Sequence, residues 1–201
     1  MLLPGILAGQ GPLDGFSYDG LEFSGFGIEL GGVTSDRLES GVVAGIRVDY
    51  GYFAPRVRMV FGLSYFKEDF DRDEIVQFER SLRRVVIDPT NDFVIVVGDI
   101  SLSNIQADID LLYEFSKGPS LMTYGGVGLA VHIRNGAGPA IDDTFVEDVL
   151  DTFAAGFNLV LGGELALLTG LSSYADVRLG LSGELNMASF RIGLMFRPSG
   201  N

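Results

Sequence analysis

Hydrophobic and polar residues alternate along most of this chain. Val42, Ala44, Ile46, Val48, Tyr50 and Tyr52 are apolar or aromatic, and Val43, Gly45, Arg47, Asp49 and Gly51 stand between them. A period of two puts successive side chains on opposite faces of a strand, so one face is apolar and the other carries glycine and charge. The same pattern predicts strands over residues 24–33, 41–53, 56–66, 103–115, 121–133, 157–167, 171–181 and 187–197. Most match the roughly 9–11 residues that a tilted strand needs to cross a bilayer.

The connections alternate in length. Tight turns are expected around Ala54-Pro55, across 116–120 and at Thr169-Gly170, and a moderate connection over 34–40. The connections over 67–102 and 134–156 are long, whereas that over 182–186 is short. Outer-membrane barrels show this parity, with short periplasmic turns and long outer loops. Within the first long connection, Ile75, Phe78 and Leu82 fall at helical spacing, predicting a helix over 74–84. Next, 85–87 and 93–97 flank Asp88-Pro89-Thr90-Asn91 as a hairpin. In the second, residues 143–152 read as a short helix with Phe145 and Val149 on one side.

Alternation alone leaves open whether the apolar face points outward to lipid or inward around a ligand. No charged residue falls on the apolar face of any predicted strand. The opposite face mixes Gly25, Gly27, Gly45, Gly62, Gly126, Gly128, Gly162, Gly180 and Gly193 with ions. Small residues beside long ones suit a narrow lumen that must be filled. The acids there are Glu29, Asp49, Asp108, Asp110, Glu114, Glu164, Asp176 and Glu184; the bases are Arg47, Arg56, Arg58, Arg134, Arg178, Arg191 and Arg197. The two sets nearly cancel, as buried charge requires. We therefore expect an ion-pair network in the lumen of an all-β, eight-stranded, antiparallel up-and-down transmembrane barrel. Tyr50, Tyr52, Tyr113, Phe115 and Phe196 are expected in an interfacial girdle at one end, with Tyr65 and Phe66 at the other.

From residues 24–197 the chain resembles the OmpA/OmpX-like eight-stranded outer-membrane barrels. The segment Ala188-Ser189-Phe190-Arg191-Ile192-Gly193-Leu194-Met195-Phe196 is similar to that family's C-terminal assembly signal. The resemblance implies a bacterial outer-membrane location with both termini periplasmic, and partners among membrane lipid, lipopolysaccharide and the barrel-assembly machinery. It also implies roles in envelope integrity, adhesion or surface recognition. Residues 1–23, rich in Gly and Pro, are expected to form a periplasmic tail, and 198–201 a short C-terminal one. The first residues lack the basic region of a secretory signal, so a mature or trimmed form is expected.

Composition narrows the chemistry. The net charge of −13 argues against nucleic acid. The absence of cysteine removes disulfides and thiolate metal sites. His132 is the lone histidine and is followed by Ile133 and Arg134, so the serine two positions away that some barrel acyl hydrolases use is missing. It is expected near the outer mouth, hydrogen-bonded to a carboxylate. Asp108 and Asp110 share a face, where ion pairing outweighs a protease-like reading. The acidic sets Glu68, Asp69, Asp71, Asp73, Glu74 and Asp142, Asp143, Glu147, Asp148, Asp151 lack the spacing of a calcium loop. No enzyme, cofactor or metal site is expected.

The apolar run Phe93, Val94, Ile95, Val96 and Val97 offers a surface for a protein partner at the extracellular loops. Two other readings stay open at this point. One is a narrow pore for small solutes, which eight strands disfavour because side chains fill so small a lumen. The other is a soluble lipocalin-like lipid-binding barrel, with the apolar face inside.

Overall fold

The computed structural model describes residues 20–85, 98–139, 141, 152–183 and 185–198. Eight strands form one closed antiparallel barrel in simple sequence order, β1 pairing with β8 to close it. They are β1 Leu21–Ser35, β2 Gly41–Ala54, β3 Val57–Asp69, β4 Ser101–Lys117, β5 Leu121–Ala137, β6 Thr152–Leu168, β7 Leu171–Ser182 and β8 Leu185–Phe196. The strands outrun the alternation pattern at several ends. β1 starts at Leu21 rather than Ser24, and β6 starts at Thr152, which the pattern had assigned to the end of a short helix. Backbone pairing to a neighbour extends a strand past the point where its side chains stop alternating.

The apolar face points outward. Phe26, Ile28, Leu30, Ile46, Ile109, Leu129, Leu161, Val177 and Ile192 are all exposed on the wall, and the charged partners of the alternation are buried inside. This overturns the lipocalin-like alternative, because the interior is polar and ionic. A wall of exposed Leu, Ile, Val and Phe suits hydrocarbon and not water.

The first part of the connection between β3 and β4 is helical. The helix α1, Arg72–Val85, begins two residues before the start that the pattern predicts, with Asp73 and Glu74 in its positively polarised first turn. Glu74 N–H and Ile75 N–H donate to the Asp71 carbonyl, tying the helix start to the end of β3. Ile75 and Phe78, one turn apart, pack with Phe70 against buried Ile100 and Ile141. The expected hairpin around Asp88-Pro89-Thr90-Asn91, the run Phe93–Val97 and residues 143–151 lie outside the described residues.

Short turns follow their sequence chemistry. Pro55 and Arg56 link β2 to β3, and Arg56 takes φ 66°, the left-handed second position that follows a proline in a tight turn. Gly170, at φ 78°, does the same between β6 and β7.

Candidate functional site: an ion-paired lumen with one open mouth

The lumen is built by register. Several of the large inward side chains sit beside a glycine on a neighbouring strand. Arg47 on β2 stands opposite Gly27 of β1 and Gly62 of β3, and Glu29 opposite Gly45 and Gly193. Asp110 faces Gly128 and Asp176 faces Gly162. The fit leaves no room for a methyl group. A Cβ on Gly128 would lie 1.9 Å from an Asp110 carboxylate oxygen, and one on Gly193 would lie 2.3 Å from the Tyr174 ring.

The ions form three connected sets. In the middle, Arg47 Nη2 lies 2.9 Å from Glu29 and 2.7 Å from Asp176, while Arg191 reaches Glu29 at 2.6 Å. Two tyrosines the alternation did not single out complete this set. Tyr174 O–H donates to Glu29 at 3.0 Å and Tyr124 O–H to Asp176 at 3.2 Å, with the Arg47 guanidinium 4.2 Å above the Tyr174 ring. Further from the termini, Arg178 spans Asp108 and Asp110 at 2.5 and 2.6 Å, and Gln106 donates to Asp108.

The third set lies toward the end where the termini of the barrel strands, the start of β1 and the end of β8, are found. Arg58 pairs with Asp49 and, at 3.0 Å, with Glu164. Arg197 pairs with the same two acids at 2.7 and 2.8 Å, so four ions alternate in a ring drawn from β2, β3, β6 and the residue after β8. Ser172 O–H donates to Glu164 at 2.6 Å. Such desolvated pairs hold only because almost every oxygen has a donor.

Apolar layers separate and cap these sets. Val60, Leu112, Tyr124 and Val160 cluster inside the barrel. At the end away from the termini, Val33, Val43, Phe66, Leu102, Leu185 and Met187 point inward and close on Leu38. The void between this cap and the Arg178 layer measures about 10 Å³, room for about one water.

Several expectations need correction. Arg56 is not in the lumen; its guanidinium is exposed, donates to the Phe115 carbonyl at 3.0 Å and lies 5.6 Å from the Tyr113 ring. The turn that reverses the chain at Pro55 carries it outside the mouth. Tyr52 does not stand in the outer girdle with Tyr50. A bulge between Asp49 and Tyr52, with Gly51 at φ 78°, breaks the alternation and lets Tyr52 O–H donate to Glu114 at 2.6 Å. Phe66 belongs to the inner cap, not to a girdle. His132 is buried in the lumen as expected, yet neither ring nitrogen meets a hydrogen-bond partner, so the anticipated carboxylate is absent. Nearby Ser182 accepts from Arg134 and donates to the Leu185 carbonyl, which leaves it engaged.

Of the remaining predicted site residues, Glu114 lies at the mouth with Lys117 at 3.8 Å, and Arg134 is buried toward the far end. Glu184 and Phe93, Val94, Ile95, Val96 and Val97 lie outside the described residues. No cluster of three or more His, Cys, Asp or Glu with metal-binding geometry exists among the described residues.

Similarity to known proteins is confined to shape. No family model matches the sequence and no curated protein does so. Among solved structures, Neisserial surface protein A superposes with a TM-score of 0.50 at 13% identity, over 86% of this chain and 96% of that one. Ail, the attachment invasion locus protein of Yersinia pestis, gives 0.43 at 10% identity, over 87% of this chain and 99% of that one. The N-terminal β-barrel domain of Pseudomonas aeruginosa OprF gives 0.41 at 14%, over 87% and 98%. Its closed topology, its apolar outer wall and this likeness show that the chain has the fold of an eight-stranded up-and-down outer-membrane β-barrel.

Proposed function

We propose that this barrel lies in a bacterial outer membrane with both termini in the periplasm and works without catalysis. It serves envelope structure or surface recognition through the connections between β3 and β4 and between β5 and β6. The observation that carries this reading is the filled lumen. Buried arginines and carboxylates neutralise one another, and apolar side chains cap the far end. Eight strands leave little interior beyond what these side chains occupy, which argues against the pore. Lengths of connection support the orientation, since the turns at 55–56, 118–120 and 169–170 all lie at the end with the termini. Membrane lipid and lipopolysaccharide would surround the wall, and the barrel-assembly machinery would insert it. The engaged state of Ser182 and the isolation of His132 support a non-enzymatic role.

Two measurements test this. Refolded in detergent, the protein is expected to run faster unboiled than boiled, as closed barrels resist detergent. In a planar bilayer it is expected to pass no stepwise current. Steady unitary currents from protein that still shows the mobility shift would replace this reading with the solute pore.

A further inference from the structure

The two ends of the lumen are not alike. The far end is capped by buried apolar side chains, but the end with the termini opens as a cavity of about 300 Å³. Its walls come from the β4–β5 turn, the end of β2 and the last described residues: Tyr52, Lys117, Leu121, Met122 and Arg197 line it, above the ring of Arg58, Asp49 and Glu164. This volume is at the lower end of the range for small-molecule sites.

The charges around the cavity cancel in sum but differ in depth. The side chains of Asp49, Glu114 and Glu164 are 2%, 3% and 8% exposed, whereas Lys117 is 62% and Arg197 30% exposed. A solute therefore meets cations first, with Asp49 and Glu164 behind them already bound to arginine and Glu114 held by Tyr52 O–H and Lys117. Tyr52 orders the approach: its hydroxyl donates to Glu114 at 2.6 Å and accepts from Lys117 Nζ at 3.0 Å. An ammonium has three donors, and the tyrosine takes one of them. Leu121 and Met122, with Pro119 and Ala166, supply an apolar side to the same cavity.

We propose that this mouth binds a small organic oxyanion, a carboxylate or phosphate carried on an apolar body. Lys117 supplies the main contact, Arg197 the second, and Leu121 and Met122 receive the apolar part. The site needs only the barrel; that its ligand comes from the periplasm rests on the orientation proposed above. Charge-assisted hydrogen bonds to an oxyanion are the strong kind, and one in a half-enclosed cavity is screened less than one on open surface.

The test uses the full chain in detergent micelles with methyl-labelled methionine, read by NMR. Benzoate probes a carboxylate with an apolar body, inorganic phosphate the oxyanion alone, and choline the cation. Benzoate is expected to shift the Met122 methyl saturably, phosphate to shift it more weakly, and choline to leave it unmoved. Met187, in the cap at the far end, should not respond. Lys117→Gln should weaken benzoate binding roughly tenfold, the scale of one lost charge-assisted bond, while the unboiled mobility shift persists because the side chain is exposed. No saturable shift at Met122, equal affinity in the variant, or an equal response to choline would each overturn the site. Loss of the mobility shift in the unaltered protein would instead overturn the barrel itself.

Discussion

At the scale of single residues, the interior is decided by pairs of glycine and charge. Gly128 beside Asp110 and Gly193 beside Tyr174 leave space that any side chain would take from an ion pair or its hydrogen-bonding tyrosine. Gly128→Ala and Gly193→Ala are each expected to cost about 1–3 kcal/mol through overpacking, read as a lower midpoint in urea unfolding from lipid vesicles. Gly32→Ala is the control, since a Cβ there meets nothing closer than 3.9 Å. Arg178 is the most demanding charge, because it alone is seen to pair with both Asp108 and Asp110. Arg178→Met strands two buried carboxylates and should cost about 3–5 kcal/mol. Adding Asp108→Asn and Asp110→Asn should recover most of that loss, since neutral amides need no counter-charge. Failure of the triple variant to recover would mean that packing, not charge, sets the value.

At the scale of elements, strands divide into two faces and departures from alternation carry the mouth. The face that meets lipid is testable at Leu129, which is 62% exposed near the middle of β5. Leu129→Arg is expected to cost about 2–4 kcal/mol in a bilayer, measured by reversible unfolding; a neutral result would contradict a lipid-facing wall. The bulge at Gly51 turns Tyr52 into the mouth, where it positions Lys117. Helix α1 is the other departure. Its periodicity was readable from Ile75 and Phe78, but its docking on Ile100 and Ile141 depends on chain far away in sequence. Phe78→Asp should free α1 from that cluster, so limited proteolysis would cut within 72–85 in the variant and spare it in the unaltered protein. Equal cleavage of both would show that the cluster does not hold the helix.

At the scale of the whole molecule, the chain carries a net charge of −13 while the lumen charges described here nearly cancel. The excess negative charge therefore belongs largely to residues outside the lumen. The strand count, the strict up-and-down order and most of the charged residues facing the lumen were legible in the pattern of alternation. Side-chain direction alternates locally along a strand, and a one-residue slip would put Arg47 and Asp49 into lipid. Which acid meets which base was not legible. Glu29 and Arg191 meet because β1 closes on β8, and Arg58 and Glu164 because the lumen is narrow enough to reach across. The placement of Arg56 outside and of Phe66 inside, the orphaned nitrogens of His132 and the open mouth at Lys117 were likewise settled only in three dimensions. Alternation reports the face a side chain takes, whereas its partner and its depth depend on closure, on bulges and on the turn that ends the strand.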